Sequence, residues 1–223
     1  MNDQRTRQIC LYGVLAIGFF LPVVRSVGVL VGQIHLHPAT QGRLFFKVVY
    51  QIVGLLSLYF ALRYQGWRLK DIGLFLEPRL LEIGHAFALF FGAIFLSLIP
   101  YFALGQFAPH KTYDSAALFG TSVGFLSILF VLLNPFHEEL LVRAYLITEI
   151  QGLYRSTTLA VILSVTLQTS YHLYQGLPAA LSHVPAFLLF SVYYVRTRRI
   201  LPVILAHMFL DVTALAAYAR GLH

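Results

Sequence analysis

Charge is what this sequence lacks. Asp, Glu, Lys and Arg make up 11% of its 223 residues, while 58% are hydrophobic and the mean hydropathy is +0.75. Average soluble domains carry about 25% charged residues. So thin a polar complement cannot solvate a globular surface, which excludes a soluble enzyme, a disordered chain and a fibrous repeat. Cysteine is nearly absent too. Cys10 stands alone, so an intrachain disulfide framework and a Cys-based metal cage are both excluded. Acidic residues are outnumbered 9 to 16 by basic ones, giving a formal net charge of +7. The cations fall between apolar runs instead of forming one patch, so they read as topology determinants and no nucleic-acid partner is expected. Neither a fixed repeat period nor strand-like alternation is present, which argues against a solenoid and a β-barrel.

What the sequence has is long apolar runs. A helical span needs about 20 mostly apolar residues. Segments at roughly 9–34, 44–62, 80–107, 118–149, 156–173, 178–195 and 200–219 qualify or come close. The first is too long for a signal-peptide core and has no small-residue cleavage site after it, so it is expected to be retained. The fold class is therefore all-α: a polytopic integral membrane helical bundle of about seven transmembrane helices, one membrane domain over 1–223. The 19 Phe and 13 Tyr suit surfaces facing lipid and the interface.

Lys and Arg in the gaps give an orientation. With the N-terminus cytoplasmic, ten lie inside: Arg5, Arg7, Arg63, Arg68, Lys70, Arg79, Arg155, Arg196, Arg198 and Arg199. Four lie outside: Arg43, Lys47, Lys111 and Arg220. The expected product is a multi-pass protein of the cell membrane, bacterial plasma membrane by type, with residues 63–79 as a cytoplasmic basic loop anchored by Trp67. The short uncharged link 173–177 leaves open whether the fifth and sixth segments span or form a re-entrant hairpin.

Ionisable groups inside spans are costly and mark function by default. Here they concentrate in three C-terminal segments: Glu138, Glu139 and Arg143; His172; and His207 with Asp211. Arg25 and His85 are further candidates. Residues four apart share a helix face, so Glu139 and Arg143 can neutralise each other. Glu138, rotated by about 100°, must find its partner on another helix and is the carboxylate available as a general base. A structural ion network at a helix end is the plainer alternative. Asn134-Pro135 interrupts the run 126–133, and Asn caps helices while Pro suits a first turn. A break near residue 134 is expected, with Glu138 in the first turn after it. Gln168 and His172 share a face, as do His207 and Asp211. Each histidine alone would read as a packed core residue, but four such groups on three helices form a constellation. His35, His37, His110 and His183 fall near segment ends and are expected to be solvated. His137 is expected to pack.

These motifs resemble the CAAX-protease and bacteriocin-processing family of intramembrane endopeptidases, also called Abi or Rce1-like. Its paired glutamates followed by Arg correspond to Glu138-Glu139-Leu140-Leu141-Val142-Arg143. Its aromatic four residues before a histidine corresponds to Gln168 through His172, with Gln in place of Phe. Its histidine followed four residues later by Asn or Asp corresponds to His207-Met208-Phe209-Leu210-Asp211. The tracts 67–74 and 196–202 are also similar, so the resemblance covers roughly 67–215, with the catalytic motifs in 134–215. Val142 and Ala144 stand where Phe and Gly are more usual. The resemblance implies hydrolysis of a peptide bond, in a membrane-associated and possibly lipidated protein or peptide, by a glutamate-activated water. Glu138 would be the base, His172 would hold the water, and His207 with Asp211 would stabilise the oxyanion. Glu139 and Arg143 would be supporting residues. Gln168 is expected to alter packing under His172 and not the chemistry. An ionised Asp211 would repel an oxyanion, so Asp211 is expected either to be protonated or to orient His207.

No cofactor is expected, with zinc on Glu138, His172 and His207 as the alternative, since three ligands and an open position suit catalytic zinc. A non-enzymatic immunity or scaffold protein is a second reading. A transporter or proton relay is a third, though the internal repeats common in transporters are missing.

Overall fold

The computed structural model describes residues 3–75, 80–105 and 115–221. Arg79, His110 and Lys111 lie outside them, as does the end of the 63–79 loop. The described residues are helical throughout their regular structure, with no strand. The elements are α1 (Asp3–Leu30), α2 (Gln41–Tyr64), a 3₁₀ turn (Leu69–Ile72), α3 (Leu80–Gly105), α4 (Ala116–Phe119), α5 (Phe125–Glu138), a π-helical segment (Glu139–Tyr145) and α6 (Leu146–Tyr154). Then come α7 (Thr157–His172), a 3₁₀ turn (Leu173–Gln175), α8 (Leu177–Ser182), α9 (Val184–Thr197) and α10 (Leu201–Ala219).

Local sequence sets several of these limits. The Thr40 hydroxyl accepts from the Arg43 amide to start α2, and the Ser156 hydroxyl accepts from the Leu159 amide to start α7. Gly73 closes the first 3₁₀ turn at φ 82°, and a Cβ there would collide with the Arg198 carbonyl. The Gly73 carbonyl in turn accepts from the Ile200 amide at 3.1 Å. The basic tract is thereby docked on the bundle.

Among the described residues six helical stretches are long and apolar enough to cross a membrane: 4–30, 41–64, 80–104, 125–154, 177–197 and 201–219. The fifth segment is the exception. Its helix, α7, has 16 residues, about 24 Å at 1.5 Å per residue, against a hydrocarbon core of about 30 Å. It stops where the chain turns inside the protein: the Tyr174 amide donates to Ser26 Oγ of α1 at 2.7 Å. Irregular backbone at membrane depth is tolerated where protein buries it.

The bundle has two distinct ends. At one, Arg7 and Gln65 both hold Glu149 (2.8 and 2.7 Å), and Arg7 lies 5.2 Å from the Trp67 ring. Gln151 reaches Thr157 at 2.9 Å and also accepts from Arg198, so α7 starts where α9 finishes. Arg199 pairs with Glu82 at the same end. At the other end, the Ala39 amide donates to Ala116 O at 2.8 Å and the Tyr218 hydroxyl to Gly120 O at 2.6 Å. The chain thus alternates ends through α1, α2, α3, α5–α6, α7, α8–α9 and α10, even though α7 is short.

Proline does not break the fourth segment at 134. α5 runs on through Pro135 to Glu138, and the irregularity is the π-helical stretch 139–145, every residue of which is buried. Asn134 is no helix cap. Its side chain serves neighbours instead, accepting from Gln51 Nε2 at 3.0 Å and donating to Asp211 Oδ2 at 3.1 Å. Pro in a membrane helix costs a backbone hydrogen bond, which packing neighbours make tolerable; α2 and α10 flank α5 here.

Candidate active site

The π-helical segment follows Glu138 directly, and π-bulges are frequent at functional sites. It carries Glu139 and Arg143, both fully buried and 2.6 Å apart. A lone buried guanidinium would be strongly destabilising, so its other contacts matter. Arg143 also donates to Gln168 Oε1 from α7 and sits 5.7 and 5.4 Å from the rings of Phe187 and Phe190 on α9. Planar guanidinium suits such a site: it donates in a fork and stacks on aromatics.

Glu138 faces differently. Its Oε2 accepts from the Tyr171 hydroxyl at 2.7 Å and from Gln168 Nε2 at 3.3 Å. Its other oxygen has no hydrogen bond among the described residues. Gln168 therefore spans the two halves of the motif: carbonyl oxygen on Arg143, amide nitrogen on Glu138. Beyond the packing role expected of it under His172, it makes hydrogen bonds to both of these residues. Its side chain is 0% exposed, and an amide within an apolar run was the signal the sequence offered. Tyr171 was missed entirely. It is adjacent to His172 and looked like one more interfacial tyrosine.

His172 Nδ1 lies 2.9 Å from the backbone oxygen of Gln168. A carbonyl only accepts, so Nδ1 carries the proton and Nε2 is left as an acceptor. His207 is held between two carboxylates: Nδ1 at 2.6 Å from Glu139 Oε1, and Nε2 at 3.5 Å from Asp211 Oδ1. The longer contact is at the limit of a hydrogen bond, so Glu139 is the firmer holder and Nε2 is the freer edge. Asp211 is fixed by its other oxygen through Asn134, which Gln51 holds in turn.

Glu138, His172, His207 and Asp211 line one cavity of about 500 Å³ between α3, α5, α7 to α9 and α10. The four sequence-derived residues are thus brought together, with Glu139 and Arg143 behind them. His183, expected to be solvated, also lines this cavity; its ring centre is 5.9 Å from that of His172, and Nε2 meets Gln175 Oε1 at 3.0 Å. His137 packs, as expected, with ring centres 5.3 Å from Phe19 and 6.1 Å from Tyr50. A Cβ on Gly54 would strike its ring, so glycine there lets α2 close over it. His85 stands apart, with Nδ1 2.9 Å from the Tyr193 hydroxyl.

A zinc site fits poorly. Among the described residues no three His, Cys, Asp or Glu side chains gather as a metal-holding group, and His207 Nδ1 is already committed to Glu139. The arrangement leaves two acceptors on residues that line this cavity, the free Glu138 oxygen and His172 Nε2. An imidazole edge stands on the other side of the same cavity.

Residues 116–213 match the family model described as type II CAAX prenyl endopeptidase Rce1-like. No curated protein and no solved structure matches the chain significantly.

Proposed function

From the match of residues 116–213 to the model for type II CAAX prenyl endopeptidases of the Rce1-like kind, we propose that this chain belongs to that family and cuts a peptide bond within the bilayer by metal-free activation of water. The observation that carries the reading is the division of labour between adjacent glutamates. Glu139 is spent on Arg143 and His207, while Glu138 keeps one oxygen free beside the cavity.

A water donating to Glu138 and to His172 Nε2 has its lone pair turned away from both, toward a substrate carbonyl. Glu138 takes the proton as the oxygen attacks, and a tetrahedral intermediate forms. Between the two carboxylates His207 acts as the imidazolium: Nδ1–H is given to Glu139, and Nε2–H is the group placed to donate to the developing oxyanion. Asp211 orients that ring and, tied to Asn134, is kept from the oxyanion. Glu138 then returns its proton to the leaving amine nitrogen. Fixed donors and acceptors in a site shielded from bulk water do this without reorganisation. The substrate is a membrane-associated protein or peptide, with a prenylated tail as the first class to try.

The test uses purified protein in bilayers and a quenched prenylated CAAX peptide, alongside comparison of membrane proteomes for uncut substrates. Glu138→Gln is expected to lower turnover by roughly 10²–10⁴-fold, the usual contribution of general-base catalysis. If Glu138→Ala and His172→Ala both leave cellular function intact, the chain is a scaffold or immunity protein instead. Chelation with 1,10-phenanthroline is expected to leave activity unchanged; loss restored by Zn²⁺ would overturn the metal-free reading.

A further inference from the structure

Glu138 and Asn134 belong to the wall of a second cavity, of about 240 Å³, enclosed mainly by α1, α2 and α5. Nothing in the proposed chemistry uses it. Its lining carries Arg25 and Lys47, and no carboxylate among the described residues except Glu138 at the shared wall. Two cations facing one small space repel each other, and Lys47, half-buried there, has lost hydration as well. Lys47 is partly provided for: Nζ donates to the carbonyls of Ala117 (2.8 Å) and Leu118 (3.2 Å) and lies 5.0 Å from the Phe130 ring. Arg25, with five donors, makes no ion pair or hydrogen bond among the described residues.

Topology does not account for these charges. This is the end of the bundle poor in cations. Arg25, Arg43, Lys47 and Arg220 are the Lys and Arg described there, and two of the four, Arg25 and Lys47, line this cavity. Three lining side chains, moreover, have buried polar atoms without a hydrogen-bond partner among the described residues: the Tyr50 hydroxyl, Gln51 Oε1 and His137 Nε2. Gln51 as a whole is 3% exposed. Unsatisfied buried polar groups are rare in native proteins, and a bound water, ion or ligand is among the explanations for them. The remaining wall is apolar, and Leu21 and Phe46, 52% and 60% exposed, carry it out to the lipid-facing surface.

We propose that this cavity binds an anionic bilayer lipid. The negative headgroup oxygen lies between Arg25 and Lys47. The Tyr50 hydroxyl donates to a headgroup or ester oxygen, and Gln51 Oε1 accepts from a headgroup hydroxyl. The acyl chain leaves along Leu21, Phe46 and Phe130. The chemistry required is an anion on an apolar body, which a phosphodiester lipid or a fatty acid can supply.

The test is binding, so it stands apart from any peptide cleavage. The full chain in mild detergent is titrated with phosphatidylglycerol, with phosphatidylcholine of the same chains, and with oleate. Retained lipid is read by native mass spectrometry and stability by thermal unfolding. Phosphatidylglycerol is expected to be retained and to raise the melting temperature by at least about 3 °C, while phosphatidylcholine does neither. Arg25→Gln, at an exposed position, is expected to cut retention at least about fivefold, and Arg220→Gln to leave it unchanged. Oleate as effective as phosphatidylglycerol assigns the site to a fatty carboxylate; ineffective oleate assigns it to the phosphodiester. Equal response to phosphatidylcholine, or full response in both Arg25→Gln and Lys47→Gln, overturns the proposal.

Discussion

Arg143 is the residue on which the buried polar cluster turns. It is fully buried and holds Glu139 and Gln168 from two different helices. Removing it strands a buried carboxylate, which is costly because the desolvation already incurred is no longer offset. Arg143→Met is expected to lower stability by about 3–5 kcal/mol, measured as the unfolding midpoint in detergent. Adding Glu139→Gln removes the stranded charge and is expected to recover a substantial part, so the pair is non-additive in a double-mutant cycle. Gln168 supplies the second residue-scale test. Gln168→Leu leaves Arg143 and Glu138 each one partner short and is expected to cost about 1–3 kcal/mol. Gln168→Glu keeps an acceptor for Arg143 but sets a carboxylate against Glu138. Its loss is therefore expected to fall mainly on turnover of a cleaved peptide and less on unfolding. The reverse split would make Gln168 purely structural.

At the scale of elements, the irregularity that shapes the site is one that no residue type announces. Asn134-Pro135 looked like the break, and helix rules supported it; the chain instead runs straight through and widens at 139–145. Pro135→Ala is accordingly expected to change activity and melting temperature little, since no break there organises the site. A break that depended on proline would make the same change inactivating. Gly73→Ala should behave oppositely. It forces a side chain into a left-handed backbone and against the Arg198 carbonyl, at a cost above about 1 kcal/mol. Limited trypsin digestion at Arg68 and Lys70 should quicken as that turn undocks. The spacing of Glu139 and Arg143, and the convergence of Glu138 with two histidines, were legible because helix periodicity and the cost of charge in lipid are one-dimensional facts. Tyr171, His183 and the bridging role of Gln168 were not. Which ring or amide meets a neighbour depends on how α7 and α9 cross behind the π segment, and amino-acid type does not encode that.

For the whole molecule, the open physical question is how seven alternating passes fit when one of them is only 16 residues. By the Lys and Arg distribution the N-terminal end of the bundle is expected to face the cytoplasm, since Arg5, Arg7, Arg63, Arg68, Lys70, Arg155, Arg196, Arg198 and Arg199 all gather there. The start of α7 and the end of α9 meet at that same end through Gln151. A full crossing and a re-entrant dip of this pair would therefore leave α10 with the same direction, and the orientation of the site does not depend on which occurs. This can be checked in cells with Cys10→Ser as background and single-cysteine variants treated with a membrane-impermeant maleimide. His37→Cys, Thr121→Cys and Arg220→Cys are expected to label from outside intact cells. Arg5→Cys, Thr158→Cys and Thr197→Cys are expected to label only after permeabilisation. Thr158 and Thr197 labelling from opposite sides would mean that α7 and α9 do not return to one end, and the cavity that joins Glu138 to both histidines would have no frame to hold it.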